Sequence, residues 1–430
     1  MLDLTGEEIS MFGLQELFDK KIEQMFQPHI LGVRILENEL GKIGITINDK
    51  QRSNLENQFK NADKDSLIFN FSDDQLEKAN FSSEEELKLR LQSILDNFGE
   101  SIKRFSEKLD ETMEVLILSV VDKMALSVNS TLEQRMMDML EDQEAIHYGF
   151  GEGIHEVWGN ALGLLQGLIV ISDEAAQGYL TRSDKYSNDD IDIAQDVLLR
   201  IHAKSNQIAK EILTLLRSGF ADGAQARWRS LHELAVVSCF IAHHGDEVAV
   251  RYIEHEAVEI HKASIEYNKY YIRLGATEIS QEEMSIIKDD YDALIEKYGK
   301  NYGSDYGWAS EAMGLKKPTF RDIELAVELD HYRPYYKAAS ANIHANPAGV
   351  LSRLGLFPEE DILLAGPSNI GLCEPAQSTI ISLTQITTSL LTYNANIDFL
   401  VVCKAMSEYG KKAEKTFIEI ERKICEQRNA

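Results

Sequence analysis

The sequence predicts an all-α fold, a multi-helix bundle, and three observations predict it: where proline falls, where helix caps fall, and how apolar residues repeat. No proline occurs between Pro28 and Pro318. Proline in a helix interior costs about 3 kcal/mol, so a proline-free run of this length suits consecutive helices. Pro318, Pro334, Pro347, Pro358, Pro367 and Pro375 gather in one late stretch, which is expected to hold the loops.

Residues 1–150 read as an acidic helical region. Its exception is Ser66-Leu-Ile-Phe-Asn-Phe71, whose β-favouring side chains suggest a short strand. Ser82 with Glu85 three residues later forms a capping box that opens a helix reaching Ile146. Long helices here are expected to pack as a coiled hairpin or a dimerisation arm. Gly149-Phe-Gly-Glu-Gly153 is expected to be a hinge, so a helical bundle domain follows over 151–430.

In the second region, Asp190 to Ser218 carries Ile191, Val197, Leu198, Ile201, Ile208 and Ile212 near helical spacing, and Gly219 stops it. Ala221 to His244 is the next helix, closed by Gly245, and Asp246 to about Leu274 the one after. Ser280 with Glu283, and Thr319 with Asp322, are further capping boxes. Pro375 suits the first turn of a helix to Asn394, and an amphipathic helix follows from Ile397 to Glu426.

The charge is unbalanced: 71 acidic against 44 basic residues, a net of −27. Such a field favours solubility and repels nucleic acid and anionic membranes, so any RNA must enter a local basic pocket. Cys239, Cys373, Cys403 and Cys425 form no Cys-x-x-Cys pair, which argues against a zinc knuckle or disulfide framework and for reduced thiols. The N-terminus has no basic and apolar leader pattern, and apolar runs such as Leu162 to Ile171 fall short of the ~20 residues a bilayer needs. A cytoplasmic protein without a membrane partner is expected.

Three stretches could carry chemistry. Asp330 to Gly349 is dense in aromatic and titratable groups. A helix with Tyr335, Tyr336, Lys337 and Ser340 should end near His344, where Asn346-Pro347 and Gly349 break it. A histidine at a helix C-terminus is readily held as a cation, and a nearby lysine can meet a phosphate oxygen. Arg251, His255 and Glu259 share one helix face, but the Glu-x-x-His spacing of bundle metal sites is missing, so no metal is expected. His255 could instead line a pocket with Arg229 and Glu233. Asn301 to Trp308 is aromatic and glycine-rich without the Lys-Ser/Thr of a phosphate loop. Trp308 should plug the core or cover a pocket.

Arg229-Ser-Leu-His-Glu233 and Tyr336-Lys-Ala-Ala-Ser-Ala-Asn-Ile-His344 together resemble the motifs of an uncharacterised bacterial all-helical family, over about Ile191 to Leu354. That family is similar to the HEPN superfamily, which includes metal-independent ribonucleases of toxin and phage-defence (abortive-infection) systems. The HEPN motif is an arginine, four to six residues, then a histidine; Lys337 to His344 keeps the spacing with lysine in the arginine's place. The resemblance implies an HEPN-like bundle after residue 150 and a defence or toxin-type ribonuclease needing no cofactor. His344 would be the acid or base, with Lys337, Arg229 and Glu233 beside it. Tyr336, Ser340, Asn342, Asn346, His255 and Trp308 would be binding residues. It further implies a homodimer or higher homo-oligomer, and a partner protein of a defence system. The rival expectation is a non-catalytic helical binding or scaffold protein.

Overall fold

The structure, a computed structural model, describes residues 19–20, 27–61, 67–68, 70–72, 75, 84–183, 192–360 and 362–428, and of 84, 105–116 and 182–183 the backbone alone. Helices are the only regular elements among the described residues. The chain divides into two units, Met1–Asp142 and Gln143–Ala430.

In the first unit, α1 (Pro28–Lys42) begins with proline at its first helical position, where the missing N–H costs nothing. It buries Val33, Leu36 and Leu40 on one face, against Ile45 and against Leu55 of α2 (Asp49–Lys60). α2 starts with a capping box: the Asn48 side chain accepts from Gln51 N at 2.9 Å and the Gln51 side chain accepts in return from Asn48 N. α3 (Glu84–Asp96) follows. The strand expected at 66–71 is absent at its described residues, Leu67, Ile68, Asn70 and Phe71. The Gln58 side chain satisfies both polar groups of the Ile68 backbone, at 2.8 and 3.0 Å, so that residue needs no neighbouring strand. Ser66, Phe69 and the Ser82 cap lie outside the described residues.

α4 (Phe98–Ser183) runs unbroken through Gly149–Gly153, so the expected hinge is not there. A helical glycine costs at most about 1 kcal/mol relative to alanine. The next turns bury Ile154, Trp158, Leu162 and Leu165, and each such side chain contributes more than that.

The second unit packs the later turns of α4 with α5 (Ile193–Arg217), α6 (Ala221–His244), and, past the peripheral elements, two closing helices. The peripheral elements are α7 (Asp246–Glu254), α8 (Glu256–Tyr270), α9 (Gln281–Tyr298), α10 (Ser310–Met313), α11 (Phe320–Ala326), α12 (Arg333–Ala341) and α13 (Pro347–Leu351). α14 (Cys373–Tyr393) and α15 (Ile397–Arg428) close the core. Gly219 and Gly245, both at positive φ, separate α5 from α6 and α6 from α7. The capping boxes at Ser280/Glu283 and Thr319/Asp322 form as the sequence predicts.

The expected helix from Asp246 to Leu274 is broken at His255. His255 is buried, and its Nε2 lies 3.1 Å from Tyr302 O and 2.9 Å from Ser304 O. It pins the Asn301–Trp308 loop and lines no pocket with Arg229. Trp308 takes the first of its two expected roles: it is buried edge-on against Phe240 and Tyr252. Arg251, also buried, donates to Trp308 O at 3.1 Å and pairs with Glu311, completing a structural knot.

The stretch Ile117–Thr181 of α4 is, among the described residues, long and apolar enough to cross a membrane, with a mean hydropathy of 1.3 over its most apolar 18 residues. This corrects the expectation that no segment reaches that length. Trp158, Leu162, Leu165, Leu168 and Ile169, all within it, are buried in the bundle core, and 39% of the most apolar 18 residues are buried.

One polar cluster crosses this core. Ser172 of α4 lies 3.0 Å from His202 Nε2 of α5 and 2.9 Å from Thr387 Oγ1 of α14, and Asn206 Nδ2 meets His202 Nδ1 at 3.1 Å. Asn206 Nδ2 also lies 3.3 Å from the other ring nitrogen, Nε2. Burial pushes His202 down to about 4 from an ordinary 6.5. The unfolded chain therefore takes up a proton first as pH falls. The contribution is complete above pH 6.5 and shrinks toward pH 4, by about 3 kcal/mol in all. Urea unfolding at stepped pH is expected to show that loss, and His202→Gln to flatten it. Equal pH slopes for the two proteins would refute the assignment.

Candidate active site

α6 and α12 build the site. Trp228 anchors α6 by donating its indole N–H to Ser382 Oγ at 3.0 Å. Arg229 and Glu233, one turn apart and pointing the same way, then face α12. The Arg229 Nε donates to Glu233 Oε1 at 3.2 Å, and the Tyr336 hydroxyl donates to that same oxygen at 2.6 Å. The guanidinium lies over the Tyr336 ring, 4.7 Å from its centre. Its Nη1 is 3.2 Å from His344 Nε2. A guanidinium has no lone pair, so this contact requires an unprotonated Nε2 on His344.

Burial alone would lower the Arg229 pKa, but Tyr336 and Glu233 outweigh it and raise it. Burial, then the adjacent Glu233 carboxylate, raises the Tyr336 phenol, which stays neutral and able to donate. Arg229 is thus held charged and oriented by a carboxylate and an aromatic face, with a second edge turned to an exposed imidazole.

Behind this sits a buried triad. His232 Nε2 is 3.1 Å from Glu324 Oε1, both side chains being fully buried, and Arg333 pairs with the other Glu324 oxygen. Burial lowers the His232 pKa, with Glu324 opposing. The triad joins α6, α11 and the first residue of α12. It fixes the angle at which Tyr336 reaches Glu233.

The chain turns sharply after His344, where Ala345 adopts φ +42, a region costly for a residue with a Cβ. Asp222 Oδ1 at the start of α6 receives both Asn342 Nδ2 at 3.3 Å and Leu354 N at 3.0 Å. Asn346 caps α13 by accepting from Gly349 N at 3.1 Å. A Cβ on Gly349 would sit 2.2 Å from Ala341 O, so glycine is required there.

Of the residues the sequence singles out, Arg229, Glu233, Tyr336 and His344 come together. Lys337 is exposed and makes no hydrogen bond or ion pair among the described residues. Ser340, Asn342 and Asn346 lie on the loop and helix end next to this cluster. They hold that loop, the Ser340 hydroxyl donating to Tyr336 O at 2.7 Å. His255 and Trp308 belong to the separate knot described above. The sequence reading misses His232, Glu324, Arg333 and Asp222. His232 is a lone histidine inside the Arg229–Glu233 motif, and nothing in the spacing ties it to a carboxylate on a later helix. Among the described residues no group of three or more His, Cys, Asp or Glu side chains is placed to hold a metal ion.

No curated protein and no solved structure matches the chain. Residues 195–361, which supply every side chain of this cluster, are similar to a family described as a family of unknown function, DUF5677.

Proposed function

We propose that the protein is a metal-independent endoribonuclease of HEPN type, a cytoplasmic defence or toxin-type effector. One observation carries the reading: a charged, pre-positioned guanidinium lies 3.2 Å from the Nε2 of an exposed imidazole. RNA carries its own nucleophile, so the protein must move protons and neutralise charge at phosphorus. His344 Nε2 takes the 2′-hydroxyl proton; O2′ bonds to phosphorus; the P–O5′ bond breaks and the 5′-oxygen leaves with a proton. The products are a 2′,3′-cyclic phosphate and a 5′-hydroxyl. Arg229 leaves His344 for the phosphoryl oxygens as their charge grows, while Glu233 keeps its Nε in place. A second copy of the chain would offer a second imidazole as the acid. Lys337, beside the cluster and uncommitted, would draw in the RNA backbone locally against the repulsive net charge of −27.

The second reading, a non-catalytic helical binding or scaffold protein, is favoured by Lys337: it stands at the motif's arginine position without touching His344.

The test is the full chain with single-stranded RNA in excess EDTA. Cleavage leaving 2′,3′-cyclic phosphate ends is expected. A strand with 2′-deoxyribose at the cut should survive, and His344→Ala should slow cleavage by roughly 10²- to 10⁴-fold. RNA left intact by the wild type, or cut equally by His344→Ala, sinks the proposal.

A further inference from the structure

The first unit leaves an apolar surface open. Along α4, Ile117, Leu118, Val121, Met136, Met139 and Leu140 are each at least 40% exposed. Val120 and Met124, on one edge of the same stretch, are buried, so the open face lies beside them. The apolar positions follow an 11-residue repeat: Ile117, Val128 and Met139 form one set, Val121 and Leu132 a second, Ala125 and Met136 a third. Eleven residues make almost three whole turns, so the sets stay on one side of the helix and the stripe runs nearly straight along its axis. Single apolar residues on a surface need no explanation, but a contiguous stripe marks a place of contact.

Charge and size decide what covers it. Asp122, Glu133, Asp138 and Glu141 outnumber Lys123 and Arg135 on this stretch, whereas helices that lie on membranes carry lysine and arginine beside their apolar face. A straight stripe is matched along its whole length by a second helix with the same repeat, which another copy of the chain supplies by symmetry. A stripe a third of the way round a helix of this length covers roughly 400–500 Å2 per copy, so a pair buries on the order of 800–1,000 Å2, the size of a weak, reversible interface. Glu133 and Arg135 stand about 200° apart around the helix, one on each side of the stripe at Leu132 and Met136. Both are exposed, and neither has an ion-pair partner among the described residues. In a parallel, in-register pair, Glu133 of each copy faces the other copy's Arg135, giving two ion pairs across the seam.

We propose that α4 between Ile117 and Leu140 is a homodimerisation surface, on which a second copy of the chain lies parallel and in register. Apolar contact along the stripe holds the pair together, and Glu133 with Arg135 sets its direction and register. The 11-residue repeat makes the two helices run almost straight or with a slight right-handed supercoil, unlike the left-handed winding of a seven-residue repeat. The inference goes beyond the ribonuclease reading and stands without it.

The test is the mass of the full chain in solution, by light scattering over about 1 to 100 µM, the range for an interface of this size. The mass is expected to rise from the 48.6 kDa of one chain toward twice that. Val121→Glu combined with Met139→Glu changes two exposed positions, which spares the fold of the single chain, and should weaken the dimer roughly 10-fold or more. Met137→Glu, equally exposed but off the stripe, should leave it unchanged. Glu133→Arg alone should weaken the dimer, and Glu133→Arg with Arg135→Glu should restore it. A parallel pair sets position 139 beside itself, whereas an antiparallel pair over this stretch sets it near position 118. Met139→Cys, with the exposed Cys425 replaced by serine, should therefore cross-link chain to chain on mild oxidation. A chain that keeps the mass of one copy at every concentration overturns the proposal, as does a dimer that Val121→Glu with Met139→Glu leaves intact or that Met139→Cys fails to cross-link. A single chain that sediments with phosphatidylcholine–phosphatidylglycerol vesicles through this stripe overturns it in favour of a membrane surface. RNA cleavage by the same proteins reports on the Arg229–His344 cluster, and the masses stand whatever it shows.

Discussion

Arg229→Ala is expected to lower the RNA cleavage rate by about 10²- to 10³-fold, the usual cost of removing one donor aimed at developing negative charge. The prediction rests on how Arg229 is held. Glu233 and the Tyr336 ring fix the guanidinium plane, and only Nη1 reaches His344. Removing it leaves Glu233 still bonded to Tyr336, so α6 and α12 should stay docked and melting should shift little. Arg229→Lys keeps the charge but loses the planar fork and should recover only a small part of the rate. The effect belongs in kcat, because the guanidinium meets phosphoryl charge that grows toward the transition state. Lys337→Ala, by contrast, should raise KM and steepen no other parameter, since Lys337 touches nothing in the cluster. Single-turnover cleavage across a range of RNA concentrations separates the two. A folded Arg229→Ala protein that cuts at the wild-type rate would remove Arg229 from the chemistry.

Glu324→Ala is expected to destabilise the second unit by roughly 3–5 kcal/mol, the cost of stripping one member from a buried charged pair. Glu324 is fully buried and answers both His232 and Arg333. Alanine would leave the Arg333 head without its carboxylate and take away the acceptor of His232 Nε2. The opposite Nδ1 of His232 is already buried without a partner, so no spare bond cushions the loss. Glu324→Gln preserves volume and one acceptor and should cost less. Urea unfolding of both variants checks this, and the order Ala worse than Gln is the discriminating result. Because the triad sets the angle of α12, Glu324→Gln should also reduce cleavage through displacement of Tyr336.

The all-helical architecture was legible because its signals are local. Proline exclusion, Ser280/Glu283 and Thr319/Asp322 boxes, and glycines at Gly219 and Gly245 each act within a few residues. Where such signals failed, tertiary packing overruled them. Gly149–Gly153 stays helical because the turns after it bury large side chains. His255 interrupts a helix because two loop carbonyls claim its ring. Half of the site was legible too: Arg229, Glu233, Tyr336 and His344 sit in two recognisable motifs. The Glu324 contact to His232 was not, since a buried carboxylate and an exposed capping residue look alike in a string of letters.

Asp222 joins two distant points of the chain on one oxygen atom, Asn342 on one side and Leu354 on the other. The excursion between them is therefore a closed ring fastened to a rigid helix rather than a flap hung from one end. Closing a ring removes conformational freedom in advance, so a molecule arriving at His344 meets a rim whose entropy was surrendered during folding and not at the moment of contact.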